Sequence, residues 1–426
     1  MMQDFIDQVI NNRDPDVRAG SCLALGSIYH FVGGMAAGSH LQSCVGIFHS
    51  LAADPHPHVH TWALHALCLT IESAGLMYGP YVNSTLSLIA KLFMSETHET
   101  AAPSANLPGI EGNSEIYPIF GRILNALLGV IGPELQDSSK LRDICLNLFE
   151  QLKNDSDPLV VVEAIRCIQN FIMFAPKHVD IPIIIPFLQK QLIVDNKAQV
   201  SVIRAAAVTC LYQLTQRDAG SVLEAVVDNC LEEQLFALFD LEKDPAVRDE
   251  IKDILIALLR HVGPTCPSRW IDLCKNILSK SITAPAAPEA APKGQEEQKA
   301  AHDDDGEDGE IVVEPPTNTV KNNKTLVVPL LPRWRTQVFS LSCVEMLIQL
   351  VLAGKREEDL DLEKARLKRA TNSKDSDFLV FKIGDLIKLA FNSSTGSVSY
   401  LRMSGLKLLK SIVEVRKGMM LKTELQ

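Results

Sequence analysis

Apolar residues recur at helical spacing along this chain, and the runs open on the same short polar signal. The first is Asp14-Pro15-Asp16-Val17-Arg18-Ala19-Gly20-Ser21-Cys22-Leu23-Ala24-Leu25-Gly26. An aspartate before such a run accepts from the free N–H groups of a first helical turn. Proline suits the next position, where its missing N–H is unneeded and its φ is already helical. Val17 begins the apolar stripe. Ala19, Gly20, Ser21 and Cys22 predict a thin middle that lets a neighbouring helix approach. Arg18 is placed to pair with Asp14 four residues earlier on the same face.

The signal returns at Asp54-Pro55 with Val59 and Ala63, at Asp157-Pro158 with Val160 and Ala164, and at Asp244-Pro245 with Val247 and Arg248. Without proline it returns at Asp195 with Val200 and Ala205. The valines step by 42 from 17 to 59, by 40 from 160 to 200 and by 47 from 200 to 247. The step of 101 from 59 to 160 leaves room for two repeats and an insertion. Repeats of this length with helix signals belong to stacked helical pairs of the HEAT or armadillo kind. The predicted fold is therefore all-α, an α-solenoid of HEAT/armadillo-like repeats.

Read in order, outer helices are predicted near 3–12, 39–52, 80–95, 181–194, 221–240 and 267–280, and inner ones near 15–32, 57–74, 158–174, 197–216 and 245–262. Helices near 116–131 and 134–153 flank Gly132-Pro133, and proline and glycine mark 96–114 as a loop. Composition changes at Ser281. Residues 281–329 hold six prolines, ten acidic and four basic residues, including Asp303-Asp304-Asp305-Gly306-Glu307-Asp308. Low hydrophobicity with repulsive charge predicts disorder there. Helical signals resume near 333–353, continue after a charged segment (357–374) near 377–391 and 397–415, and bring the total to about eight pairs. The organisation is repeats over 1–280, an acidic Pro/Ala-rich insertion over 281–329 that loops out within one repeat, and further repeats over 330–426. Neither end carries a polar capping helix, so a segment of a longer array is expected.

Of the 426 residues, 46% are hydrophobic and 6% aromatic, which suits thin aliphatic helices packed in layers. The net charge of −11 disfavours nucleic acid as a partner. Ten cysteines without a C-x-x-C pair, most of them in apolar runs such as those of Cys22, Cys68, Cys167 and Cys210, predict reduced, buried thiols. The acidic N-terminus lacks the basic start of a signal peptide. No apolar run is expected to span a membrane, the richest, Ile181 to Leu188, being broken by Pro182 and Pro186.

The sequence offers no phosphate loop and no nucleophile elbow. His56, His58, His60 and His65 are the densest ligand cluster, yet no cysteine or carboxylate sits at matching spacing, so surface histidines at a helix start are the plainer reading. Lys364, Arg366, Lys368 and Arg369 form a basic cluster, interleaved with Glu357, Glu358, Asp359, Asp361 and Glu363 as on a solvated helix. No catalytic, cofactor or metal residue is assigned, and no enzyme activity is expected.

Several stretches resemble the HEAT repeat-containing protein 5 family. They are Gly26-Ser27-Ile28-Tyr29-His30-Phe31-Val32-Gly33-Gly34, Thr61-Trp62-Ala63-Leu64-His65, Gly75-Leu76-Met77-Tyr78, Val130-Ile131-Gly132-Pro133-Glu134-Leu135-Gln136, Met173-Phe174-Ala175-Pro176-Lys177-His178-Val179, Pro332-Arg333-Trp334 and Leu401-Arg402-Met403-Ser404-Gly405-Leu406. The resemblance runs in order over nearly the whole chain and is to the central part of much longer members. It implies a cytosolic, non-enzymatic scaffold that works with clathrin-adaptor machinery, aftiphilin and gamma-synergin at the trans-Golgi network, endosomes and endocytic vesicles. Endocytosis, retrograde endosome-to-Golgi transport and protein localisation are the implied roles, with membranes met only through partners. On the residues alone, a regulatory or scaffold HEAT subunit of an enzyme complex, or a nuclear transport receptor, fits as well.

Overall fold

The structure is a computed structural model. It describes residues 2–94, 116–155, 157–192, 198–226, 230–279, 334–354, 356–359, 361–370, 377–396 and 398–423. The expected loop at 96–114, the cap at Asp195 and the insertion at 281–329 lie outside the described residues. Seventeen helices of nine residues or more organise the described chain: α1 Met2–Asn11, α2 Pro15–Val32, α3 Leu41–Leu51, α4 Pro57–Ala74, α5 Val82–Met94, α6 Ile116–Ile131, α7 Ser139–Lys153, α8 Pro158–Phe174, α9 Ile181–Gln191, α10 Ala198–Ala225, α11 Leu231–Leu241, α12 Pro245–Val262, α13 Pro267–Ser279, α14 Trp334–Ala353, α15 Leu362–Ala370, α16 Ile383–Ser394 and α17 Ser399–Thr423.

These helices form two layers. In the inner layer α2, α4, α6, α8, α10, α12, α14 and α17 each pack on the next. The outer layer is α1, α3, α5, α7, α9, α11, α13 and α16, each packed on the inner helix that follows it. The result is an α-solenoid of eight helical pairs among the described residues, with α15 as an addition between the last two. Its buried residues form one contiguous apolar cluster from Ile6 to Ile412. Such a core grows by stacking and has no globular size limit. The helices α13 and α14 pack directly on each other although 54 residues separate Ser279 from Trp334.

Three of the aspartate signals act as the sequence predicts. Asp14, Asp157 and Asp244 are N-caps in extended backbone, and their carboxylates accept from the N–H groups of Asp16, Leu159 and Ala246 at 2.9–3.0 Å. Asp54 departs from them. It accepts from the His56 N–H at 2.9 Å, but the helix starts at Pro57, capped by His56 without a side-chain bond. A residue before proline is driven out of the helical region, so His56 cannot be the second residue of a helix begun at Pro55. The expected Arg18–Asp14 pair is replaced by a pair between repeats, with Arg18 Nη1 2.8 Å from Asp54 Oδ2. Close approach of α2 and α4 also falls elsewhere than expected. Nothing lies near Gly20, whereas a Cβ on Gly26 would come within 2.6 Å of Ala66 Cα. At the helix ends, Gly33 and Gly75 take φ of 86° and 51°, a region open to glycine.

Other boundaries moved for local reasons. The break expected between 197–216 and 221–240 is a kink at Asp218 within α10, and the outer helix expected over 221–240 is interrupted between Ala225 and the start of α11 at Leu231. The Asp218 carboxylate accepts from the Ser221 N–H and Oγ, restarting the helix after the kink. The helix expected over 134–153 breaks at Ser138, which caps α7. Among the described residues one helix, α14, is long and apolar enough to cross a membrane by length and composition, contrary to expectation. Its run is uncharged but for Glu345 and Arg335, and uncharged polar residues such as Gln337 and Ser340 conceal it in the sequence. It is the core of the seventh pair, packed on α12, α13 and α17.

Candidate interaction surface

The residues singled out for chemistry are drawn into structure. His60 is buried, not a surface histidine, and its Nδ1 bonds the Ala52 carbonyl. His58 reaches Asp16 of the preceding repeat at 3.4 Å, and His65 lies against Trp62 with ring centres 5.2 Å apart. Among the described residues no group of three His, Cys, Asp or Glu is placed to hold a metal ion. The basic cluster lies on α15 and is partly engaged. Lys368 pairs with Glu358 at 2.7 Å and sits over the Phe378 ring, and the Arg369 guanidinium lies over Phe381. The acidic string at 303–310 lies outside the described residues.

All ten cysteines are free, and only Cys266 is exposed. Burial pushes the thiol of Cys22 up to about 12, Cys44 to about 11 and Cys145 to about 12, and it also holds those of Cys167 and Cys343 well above the usual thiol range. Such thiols stay protonated and are poor nucleophiles at neutral pH.

On α4, α6 and α8 the inner layer leaves a stripe at least partly exposed. It comprises Trp62, His65, Leu69 and Glu72 on α4, Arg122, Asn125 and Gly129 on α6, and Arg166, Asn170 and Met173 on α8. The spacing of three and four keeps each set on one face. Polar side chains bridge these stripes from repeat to repeat. Arg122 faces Glu72 at 3.8 Å. Asn125 Nδ2 donates to Glu163 Oε2 at 2.8 Å, Arg166 Nη1 donates to Glu163 Oε1 at 2.6 Å, and Asn170 Nδ2 donates to Asn125 Oδ1 at 3.2 Å. Further along, Gln169 donates to the Ala206 carbonyl, Thr209 donates to Glu250 at 2.7 Å, and Arg204 pairs with Glu242 at 3.3 Å. Apart from Arg122–Glu72, which is 50 residues apart, and Arg166–Glu163 within α8, these partners lie 37 to 45 residues apart in sequence, about one repeat. Large apolar side chains punctuate the surface. Trp334 stacks on Tyr400 at 5.1 Å and 17°, with the Arg335 guanidinium 5.4 Å from the Trp334 ring centre. At the C-terminal end of α2 and just beyond it, Phe31 and Met35 are 88% and 93% exposed.

The sequence reading missed this network. Its signal is a polar residue inside an apolar run, Asn125 in Ile123–Leu128 and Glu163 in Val160–Ile165, since a buried polar group requires a partner. The stripes on α4, α6 and α8 join the partly exposed Trp62 to paired polar and charged side chains, a composition suited to docking another macromolecule.

A family model of the Laa1/Sip1/HEATR5 HEAT repeat region matches residues 378–420, which hold α16 and most of α17. The chain is similar to Protein SWEETIE of Arabidopsis thaliana, 30% identical over 407 residues that make up 94% of this chain and 17% of that protein. It is also similar to the AP-1 accessory protein LAA1 of Saccharomyces cerevisiae, 22% identical over 176 residues, 41% of this chain and 9% of that protein. The chain thus spans less than a fifth of the length of either relative. A designed armadillo repeat protein superposes with a TM-score of 0.46 at 14% identity, over 61% of this chain and all of its own. The fold itself follows from the packing of the chain's own helices. Similarity over 94% of the chain and a family-model match on the last pair together support a HEAT-repeat protein of the Laa1/Sip1/HEATR5 kind.

Proposed function

We propose that this stretch is a spacer and docking surface in a non-enzymatic scaffold for clathrin-adaptor machinery at Golgi and endosomal membranes. The observation that carries the reading is similarity to a protein named for its accessory role to the AP-1 adaptor. The architecture supports it, since eight stacked pairs with a charge-paired, aromatic-studded face provide reach and contact area. Each pair adds roughly one helix diameter of 10–12 Å, giving on the order of 80–100 Å in all. Endocytosis, retrograde endosome-to-Golgi transport and protein localisation are the cellular roles, with aftiphilin and gamma-synergin among the protein partners. Recruitment to the membrane is indirect, because a net charge of −11 is repelled by anionic leaflets.

In this reading the acidic stretch 281–329 leaves the array within one helical pair, α13 and α14. Deleting it leaves the melting midpoint nearly unchanged, because closing a loop costs little per residue. The functional test is co-sedimentation from cytosol of the intact parent protein with clathrin adaptors. Adaptor in the parent's fractions, lost when the parent is depleted, is the expected result. Adaptor and parent in separate fractions would refute the reading.

A further inference from the structure

Between the outer helices α7 and α9 the outer layer opens into an apolar socket of about 170 Å³, floored by Ile168 and Phe171 of α8. Leu146 and Phe149 form one wall, and Val179 and Ile184 the other. Roughly 150 Å³ in such surroundings holds one benzene ring, whereas small-molecule sites begin at about 300 Å³. The socket therefore fits a single aromatic side chain.

Its rim carries charge. Glu150 and Asp180 stand at the edge, and an open depression sharing His178, Val179 and Asp180 continues to Glu224 and Ser221. Lys177 is the cation lining that depression. Asp180 occupies the N-cap position of α9 in extended backbone, yet its side chain makes no cap bond, unlike Asp14, Asp157 and Asp244. Asp180 and Glu224 are both exposed. The chain's own Lys153 shows what this rim attracts. Its Nζ lies 2.6 Å from Glu150 Oε2 and 5.6 Å from the centre of the Phe149 ring.

We propose that this socket takes one phenylalanine side chain from a helical segment of a partner protein, with Asp180 and Glu224 holding a lysine or arginine one turn away on that segment. Apolar burial supplies the affinity and the carboxylates fix the orientation of the segment. The proposal rests on the reading of the chain as a docking scaffold and names one site on it.

The probe is a fluorescein-labelled, alanine-based helical peptide with a single phenylalanine and a lysine four residues to either side, titrated with the full chain and followed by fluorescence anisotropy. Saturable binding is expected, weakened at least tenfold when the peptide's phenylalanine becomes alanine or its lysines become glutamate. On the protein, Ile183→Trp plugs the mouth of the socket, where Ile183 is already 52% exposed. The pair Asp180→Lys and Glu224→Lys reverses the rim without removing a hydrogen bond. Each change should weaken binding at least tenfold at an unchanged melting midpoint. Absence of binding, or affinity indifferent to both protein changes, would overturn the proposal. Because only the chain and a defined peptide are used, a socket that fails leaves adaptor co-sedimentation standing. Conversely, a parent that brings down no adaptor can still fill its socket.

Discussion

The joint between the first two pairs and the joint between the last two are built differently. At the first, α2 and α4 touch backbone to backbone at Gly26 and Ala66, and Arg18 reaches one repeat forward to Asp54. At the last, α14 and α17 are joined by Ser411 and Glu345 and by the Trp334–Tyr400 stack, and an added lobe of α15 and its flanks lies alongside. That lobe is held on α13. Asp377 accepts from the Ser268 N–H at 2.9 Å, and Lys382 reaches Asp272 at 2.9 Å, both on α13. Within it, the buried Asp359 binds Arg356 at 2.8 Å and accepts from the Leu379 N–H. Bonds across the early joints link residues about one repeat apart, whereas those at the lobe span 109 and 110 residues. The comparison teaches that the generic repeat signal and the family signal sit in different places. The Asp-Pro register marks the plain joints, and the family-model match begins at 378, inside the elaborated joint.

The largest expected effect is at a plain joint. Arg204 and Glu242 are each only 9% exposed, so Arg204→Ala leaves the Glu242 carboxylate with only the N–H groups of Lys243 and Asp244 and should cost about 3 kcal/mol by denaturant unfolding. Next comes the close contact of α2 and α4. Gly26→Ala should destabilise by about 1–3 kcal/mol through overpacking against Ala66. By contrast Gly20→Ala, in open space within the same helix, should stabilise by about 0.5–1 kcal/mol. Equal effects at the two glycines would show that α2 and α4 are packed in another register.

At the elaborated joint, Asp359→Asn should loosen the lobe locally. Amide exchange over 356–382 should accelerate while α2 and α4 keep their protection. Acceleration throughout would mean that the lobe and the array unfold as one unit. The smallest effect belongs to His49, half-buried between α3 and α5 and bonded to Thr85 at 2.9 Å. Burial lowers its pKa from 6.5, so below about pH 6.5 the unfolded chain binds a proton that the folded chain resists. Stability should therefore fall as pH drops from 7.5 towards 5. His49→Gln should flatten that slope slightly, because one histidine among eleven contributes only part of it.

Helix starts were legible wherever the signal was local. An aspartate, a proline and an apolar stripe are enough to place α2, α8 and α12 to the residue. At Asp54 the helix start at Pro57 was placed but the cap was not, because a second proline two residues on moves the N-cap to His56. Gly20 misled, since its position in the thin stretch says nothing about which face meets α4. The kink at Asp218 falls in the gap left between the helices expected at 197–216 and 221–240, whereas the stop at Ala225 before Leu231 was not legible, because that stretch continues the apolar pattern. Nothing local announces the socket, since its walls come from three helices and its rim from a cap position whose side chain is unused. Asn125 and Glu163 were visible as polar residues in apolar runs, but only the stacking of repeats shows that they answer each other.

The central claim is that this stretch of the scaffold takes part in adaptor-dependent transport. Cells depleted of the full-length parent, then supplied with a version lacking these 426 residues, test it most directly through endosome-to-Golgi return of an adaptor-dependent cargo. The account predicts that depletion impairs return, that the intact parent restores it and that the shortened one does not. Full restoration by the shortened parent, or normal return in its complete absence, would contradict the account.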